Sequence, residues 1–168
     1  MRGHLTHRYL IALGSNRRHP RFGRPRDVLA AALARLEAEG VAVVARAPVL
    51  LTEPVGPSLR RYANSAAIVE TALDPEALLT ALKRIERALG RRPGGQRWTA
   101  RVLDLDVVLW SGGAFAGPGL TVPHPRFRER GFVLAPAAAI AAAWRDPITG
   151  LTVRHLHARL TRPRPVRR

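Results

Sequence analysis

Two aspartates stand two residues apart in Leu103-Asp104-Leu105-Asp106-Val107-Val108-Leu109. Apolar residues alternate with them, and that period-two pattern predicts a strand. On a strand such side chains share one face, roughly 6–7 Å apart at ~3.3 Å rise per residue. Leu103, Leu105 and Val107 then point into a core while both carboxylates face outward together. Carboxylates at that separation repel each other unless a cation lies between them. Mg²⁺ suits the pair, because it prefers oxygen ligands and keeps positions open for water and substrate phosphates. Just upstream, residues 91–101 (Arg91-Arg92-Pro93-Gly94-Gly95-Gln96-Arg97-Trp98-Thr99-Ala100-Arg101) form a Gly/Pro-broken loop with four arginines and a tryptophan. Guanidinium forks pair bidentately with phosphate oxygens. An acidic pair or an Arg-rich loop alone would read as solvated surface. Together, with one aromatic, they point to a nucleotide-handling site.

The elements that must position this site follow from pattern. Arg8 to Leu13 is an apolar first strand that Gly14-Ser15-Asn16 is expected to stop. After a basic loop, Pro25 opens a helix with Val28, Leu29, Leu33 and Leu36 on one face, and Gly40 closes it. Val41 to Leu51 reads as a second strand, which Thr52-Glu53-Pro54-Val55-Gly56-Pro57 must leave. Tyr62 to Thr71 reads as a third strand, antiparallel to the second. Asp74-Pro75 starts a second helix with Leu78, Leu79, Leu82, Ile85 and Leu89 on one face, ended by Gly90. Beyond the Asp104 strand come a short element at Leu120–Pro125, a helix around Phe132–Trp144 and a last element at Val153–Leu160. Strand-helix-strand-strand-helix-strand is the ferredoxin-like α+β order, βαββαβ: an antiparallel sheet with helices on one face. It would gather the Gly14, Thr52 and Arg91 loops, three active-site loops, at one end of the sheet. The fold alone decides no function.

Composition sets the bounds. The 168 residues suffice for one domain with a proper core. Residues 1–158 read as that domain and 159–168 as a basic, disordered tail. No apolar run reaches the ~18–20 residues of a membrane span. The absence of cysteine excludes disulfides and thiolate chemistry and fits a cytoplasmic protein. The formal net charge of +16 raises RNA binding as a rival function. That reading requires base-stacking aromatics on the central strands, which offer mainly Tyr9 and Tyr62. The 28 basic residues include a single lysine, Lys83, a bias that looks genomic rather than selected for a phosphate-binding face.

Several segments resemble those of 6-hydroxymethyl-7,8-dihydropterin pyrophosphokinase, a folate-biosynthesis family. They are Leu13-Gly14-Ser15-Asn16, Thr52-Glu53-Pro54-Val55-Gly56 with Tyr62-x-Asn64, and Glu86 through Gly90-Arg91. Arg97-Trp98-x-x-Arg101-x-x-Asp104-Leu105-Asp106, Leu120-Thr121-Val122-Pro123-His124-Pro125-Arg126 and Arg130-Gly131-Phe132-Val133-Leu134 complete the set, in family order over roughly residues 8–145. The resemblance implies transfer of pyrophosphate from ATP to the pterin hydroxymethyl group, releasing AMP. It further implies two Mg²⁺ ions on Asp104 and Asp106, and mobile-loop arginines Arg91 and Arg101 closing on the polyphosphate. His124, Arg126 and Arg130 resemble the phosphate clamp, with Thr121, Glu86, Lys83, Val107, Trp98 and Arg101 also on the ATP side. The pterin would stack on Trp98 and Phe132. Asn16, Thr52, Glu53, Val55, Tyr62 and Asn64 would read its edge or line its pocket. The implied partners are ATP and the pterin, with no specific nucleic acid or membrane and a monomeric chain.

This sequence departs from the family pattern at Lys83, Pro93 and Gly119, where many members carry other polar or arginine contacts to ATP. Thr99-Ala100 also replaces the usual Gly-Pro. The departures touch nucleotide contacts and loop closure rather than the metal pair, and they keep a catalytically weakened member of the family as an alternative.

Overall fold

The computed structural model describes residues 5–53, 61–90 and 102–165. The main sheet uses β1 (His7–Ser15), β2 (Ala42–Arg46), β3 (Leu50–Thr52), β4 (Tyr62–Thr71) and β5 (Asp104–Trp110). Its order is β2-β4-β1-β5, every pairing is antiparallel, and β3 extends the β2 side by pairing with the start of β4. A small hairpin follows, β6 (Phe115–Gly117) with β7 (Leu120–Val122). The helices are α1 (Pro25–Ala38), α2 (Pro75–Ala88), α3 (Gly131–Ala141) and α4 (Val153–Thr161), with a 3-10 turn at Phe127–Glu129.

Local chemistry starts and stops the first two helices. Asp27 accepts the Arg24 backbone N–H at 2.9 Å, and Asp74 accepts that of Ala77 at 2.9 Å. A proline follows each N-terminal cap. Gly40 and Gly90, at φ +83° and +102°, let the chain leave in a left-handed conformation that a side chain would resist.

The sheet is covered on both faces rather than one. Tyr9, Ile11, Leu13, Val69, Leu105 and Val107 join the apolar sides of α1 and α2. Leu10, Ala66, Ile68, Val108 and Leu109 pack with Val133, Leu134 and Ala137 of α3 and Val153 and Leu156 of α4. α3, apolar and Ala-rich, has no charged or polar face to keep in water, so it closes the second side. Other departures from the pattern-based reading are local. The Val41–Leu51 strand is two strands, interrupted where Pro48 has no N–H to donate. β1 runs on through Gly14 and Ser15, because both find partners on β4. The β6–β7 hairpin gave no clear strand pattern in so few residues. α4, capped by Thr152 accepting the His155 N–H at 3.2 Å, continues to Thr161, past the expected start of the tail at 159.

Candidate active site

The site is set by sheet register. Gly14 pairs with Asn64 of β4 on one side and with Asp104 of β5 on the other. Directly opposed residues of an antiparallel sheet project from the same face. Asn64, Gly14 and Asp104 therefore make one row, and Ala66, Ala12 and Asp106 make the next. The small residues of β1 leave a shallow floor between a carboxamide and two half-buried carboxylates. A Cβ at position 14 would stand 3.3 Å from Asn64 Oδ1, so even alanine would crowd that amide. Farther along the same face, Leu10, Ile68 and Leu109 turn the surface into core.

Burial of the strand outweighs the charge repulsion. The aspartate pair costs on the order of 1 kcal/mol at 6–7 Å in water-like surroundings. Burying one leucine contributes about 1.5–3 kcal/mol. Leu103 and Leu105 are fully buried and Val107 nearly so. The core thus holds both aspartates outward, as the alternation predicts.

β5 is an edge strand, but its outer edge is occupied where the site lies. Glu86, on α2 and only 1% exposed, accepts the Leu105 N–H at 2.8 Å through Oε1. Lys83 Nζ lies 3.3 Å from the other oxygen of the same carboxylate. Past a register shift opposite Leu10 and Ile11, the Val108 carbonyl accepts the His124 N–H at 3.0 Å. Bulges commonly re-aim groups beside active sites. Here one gives the Val122–His124 segment its anchorage, two residues beyond Asp106.

The His124 ring is half-buried, and its Nδ1 accepts the Arg126 backbone N–H at 3.1 Å. Burial lowers the imidazole below its ordinary pKa. The Asp106 carboxylate pulls it back up, and Arg130 and Arg126 reinforce the lowering. A neutral ring with Nδ1 accepting carries its proton on Nε2, which becomes a donor. The Arg130 guanidinium sits 5.7 Å from the Phe132 ring centroid, and Phe132 is exposed at the start of α3. On the opposite side of the row, Asn64 Nδ2 donates to Thr52 Oγ1 at 2.9 Å. Tyr62 pairs with Thr52, Glu53 forms an exposed ion pair with Arg61, and Asn16 is buried just past the end of β1.

Sheet register therefore gathers Asp104, Asp106, Asn64 and Thr52, and the β5 edge brings in His124 with Arg126 and Arg130. Thr121 is exposed on β7. Two residues expected on the ATP side are turned elsewhere. The Val107 side chain belongs to the core under α1 and α2, and the Glu86 carboxylate is spent on the Leu105 amide. Arg91, Trp98, Arg101 and Val55 lie outside the described residues. The sequence reading missed Gly14 as floor and the Val108 carbonyl as anchor. Both depend on strand register, which no local pattern displays. Among the described residues, no group of three or more His, Asp or Glu side chains converges to hold an ion. A cavity of about 390 Å³ lies beside this region, lined by Phe115, Thr121, Pro123, Pro125, Arg128 and Ile148, and includes neither aspartate.

Comparison with known proteins identifies the family. The family described as 7,8-dihydro-6-hydroxymethylpterin-pyrophosphokinase matches residues 10–142. The 2-amino-4-hydroxy-6-hydroxymethyldihydropteridine pyrophosphokinase of Methylorubrum extorquens is 39% identical over 158 residues, covering 93% of this chain and 94% of the relative. The protein of the same name from Pseudomonas aeruginosa is 37% identical over 145 residues, covering 85% and 86% respectively. The crystal structure of wild-type Plasmodium falciparum HPPK-DHPS superposes with a TM-score of 0.70 at 12% identity, which speaks to the fold alone. It covers 92% of this chain, which spans 41% of that longer one.

Proposed function

The chain belongs to the 7,8-dihydro-6-hydroxymethylpterin-pyrophosphokinase family, and on that footing we propose how its own residues divide the reaction. It is a pyrophosphokinase acting on hydroxymethyldihydropterin in folate biosynthesis, with ATP as the donor. The observation that carries the assignment is the row Asn64–Gly14–Asp104. It sets an amide suited to a heterocycle edge across β1 from a carboxylate suited to a phosphate-bound cation.

Asp104 and Asp106 would hold Mg²⁺, two ions in our reading. The fit rests on the donor set: two same-face, half-buried carboxylates leave coordination positions for phosphate oxygens and water. When bound, the metal would offset polyphosphate charge and lower the pKa of the attacking hydroxyl. The pterin edge would meet Asn64, Asn16 and the backbone of Thr52, Glu53 and Val55, Tyr62 would line its pocket, and Phe132 and Trp98 would take its ring faces. Asn64 is fixed for this by its bond to Thr52. His124 offers an Nε2–H, and Arg126 and Arg130 offer guanidinium forks, to the triphosphate. Arg130 caps the N-terminus of α3, where the helix dipole adds to its attraction for anions. Arg91 and Arg101 complete the clamp from the loop, and Thr121 and Lys83 stand on its nucleotide side. The hydroxymethyl oxygen gives up its proton to water and bonds to Pβ while the bond from Pβ to the Pα-bridging oxygen breaks, giving the pterin diphosphate and AMP. Glu86 serves by holding the strand, and Val107 by its backbone.

The order β2-β4-β1-β5, with one helix after β1 and one after β4, supports reading the core as ferredoxin-like, with β3 as an extension. AMP release from Mg-ATP, with and without 6-hydroxymethyl-7,8-dihydropterin, tests the assignment. Pterin-dependent AMP that collapses in Asp104→Ala is expected. Equal AMP formation by wild type and variant would refute the metal site.

A further inference from the structure

One ion pair outside the assigned residues has its carboxylate fully buried and ties two distant parts of the chain together. Asp146, fully buried, accepts Arg128 Nε at 2.6 Å and Nη2 at 2.8 Å. It also accepts Thr149 Oγ1 at 2.7 Å and the Ile148 N–H at 3.0 Å. The Arg128 guanidinium lies 4.8 Å over the ring of Phe127, which is itself buried. A planar fork paired bidentately and stacked on an aromatic is held in one orientation, which a lysine would not reproduce.

The two ends have different surroundings. Asp146 organises the turn between α3 and α4, where its N–H donates to the Leu151 carbonyl and its own carbonyl accepts from Gly150. Arg128 is the middle residue of the 3-10 turn Phe127–Glu129, flanked by Arg126 and Arg130. That turn begins at His124, whose carbonyl accepts the Phe127 N–H at 3.2 Å, and ends where Arg130 N–H reaches the Phe127 carbonyl at 3.3 Å. One such turn has little stability of its own. It also crowds three guanidinium groups, and the one acidic residue within it, Glu129, makes an exposed pair with Arg126.

We propose that the Arg128–Asp146 pair positions the triphosphate-binding segment, holding the turn so that His124, Arg126 and Arg130 are presented together to a polyphosphate. The proposal rests on the phosphate-clamp reading of those three residues. Asp146 draws the middle guanidinium out of the repulsive cluster, and Phe127 fixes it from below. Of the flanking arginines, Arg126 holds the exposed pair with Glu129 and Arg130 lies over the exposed Phe132 ring, weak contacts that a polyphosphate can displace. Arg128 and Asp146 are positioning residues, and neither need touch substrate.

The test uses the full chain with Mg²⁺ and a non-cleavable ATP analogue, titrated calorimetrically, beside titration of the pterin alone and steady-state kinetics. Arg128→Lys and Asp146→Asn should weaken analogue binding about tenfold and raise KM for ATP more than they lower kcat. Pterin affinity should stay within about twofold of wild type. The double variant Arg128→Met with Asp146→Leu removes both charges and keeps bulk. It should restore melting temperature without restoring analogue affinity, and it serves if a single variant fails to fold. Analogue affinity unchanged in the folded variants, or analogue and pterin affinities falling together with stability, would overturn the proposal. His124→Ala separates the two readings. If it leaves analogue binding intact, the clamp assignment itself fails. If it abolishes binding while the Arg128 variants bind like wild type, only the positioning role fails.

Discussion

The carboxylate of Glu86 accepts the backbone N–H of Leu105, the residue between the two aspartates, at 2.8 Å in a closed environment. A side chain of α2 thereby fixes the outer edge of the strand that carries the acidic pair. Glu86→Ala leaves that N–H buried without its acceptor, a cost of about 1–3 kcal/mol. We expect a melting temperature lower by ~3–10 °C, with faster hydrogen exchange at Leu105. Glu86→Gln keeps an acceptor oxygen and should retain most of the stability. An alanine variant as stable as wild type would show that the bond contributes nothing.

Gly14 lies in the row between Asn64 and Asp104. Its backbone is not in the left-handed region, so Gly14→Ala should fold. The added Cβ would meet Asn64 Oδ1 at 3.3 Å and turn the amide away from its place. Pterin affinity, read by fluorescence titration, should fall about tenfold, the effect of one displaced hydrogen-bonding group. Unchanged affinity would mean that the pterin does not use this floor.

Removing either aspartate should separate activity from stability. Asp104→Ala and Asp106→Ala each remove one of two like charges, so the loss of activity should far exceed any change in melting temperature. Pterin-dependent AMP formation should drop at least about a hundredfold, as when a main electrostatic stabiliser of a transition state is lost. A variant of either residue with near-normal rate at saturating Mg²⁺ would contradict the metal assignment.

Acid sensitivity should carry the signature of Asp146. Burial pushes its carboxyl up, but Arg128, Thr149 and the Ile148 N–H outweigh burial and hold it at about 2, below the ordinary 3.8. A carboxyl lowered in the folded state stabilises the fold above the unfolded value, and that stability is lost as pH falls through the folded value. The contribution, on the order of 2 kcal/mol at neutral pH, should therefore fade between about pH 4 and 2. Denaturant melts of wild type and Asp146→Asn should converge across that window. A stability difference that does not change with pH would show that the carboxylate charge plays no part.

Much of this molecule was legible in its sequence. The alternation around Asp104 and Asp106 gave their shared orientation, because burial of Leu103 and Leu105 dominates the strand. Asp74-Pro75 and Gly90 marked α2 through capping chemistry alone. Register was not legible. Gly14-Ser15-Asn16 looks like a turn until Asn64 and Asp104 arrive on either side and extend the strand. Glu86 likewise looks like an exposed helical charge, and only the packing of α2 against β5 closes it in. Arg128 and Asp146 are separated by 17 intervening residues and belong to no local pattern.

The occupied edge of β5 also bears on how copies of this chain meet. An uncovered edge strand offers a row of unpaired backbone groups to any other strand. At β5 the Leu105 N–H and the Val108 carbonyl are already engaged by Glu86 and His124. The opposite border, formed by β2 and β3, carries exposed Val44, Leu50 and Leu51. Edge-to-edge association in concentrated solution should therefore begin at β2 and β3, leaving the outer edge of β5 out of it. Charged substitutions at Val44 or Leu51 are the changes to make when the protein must be kept dispersed.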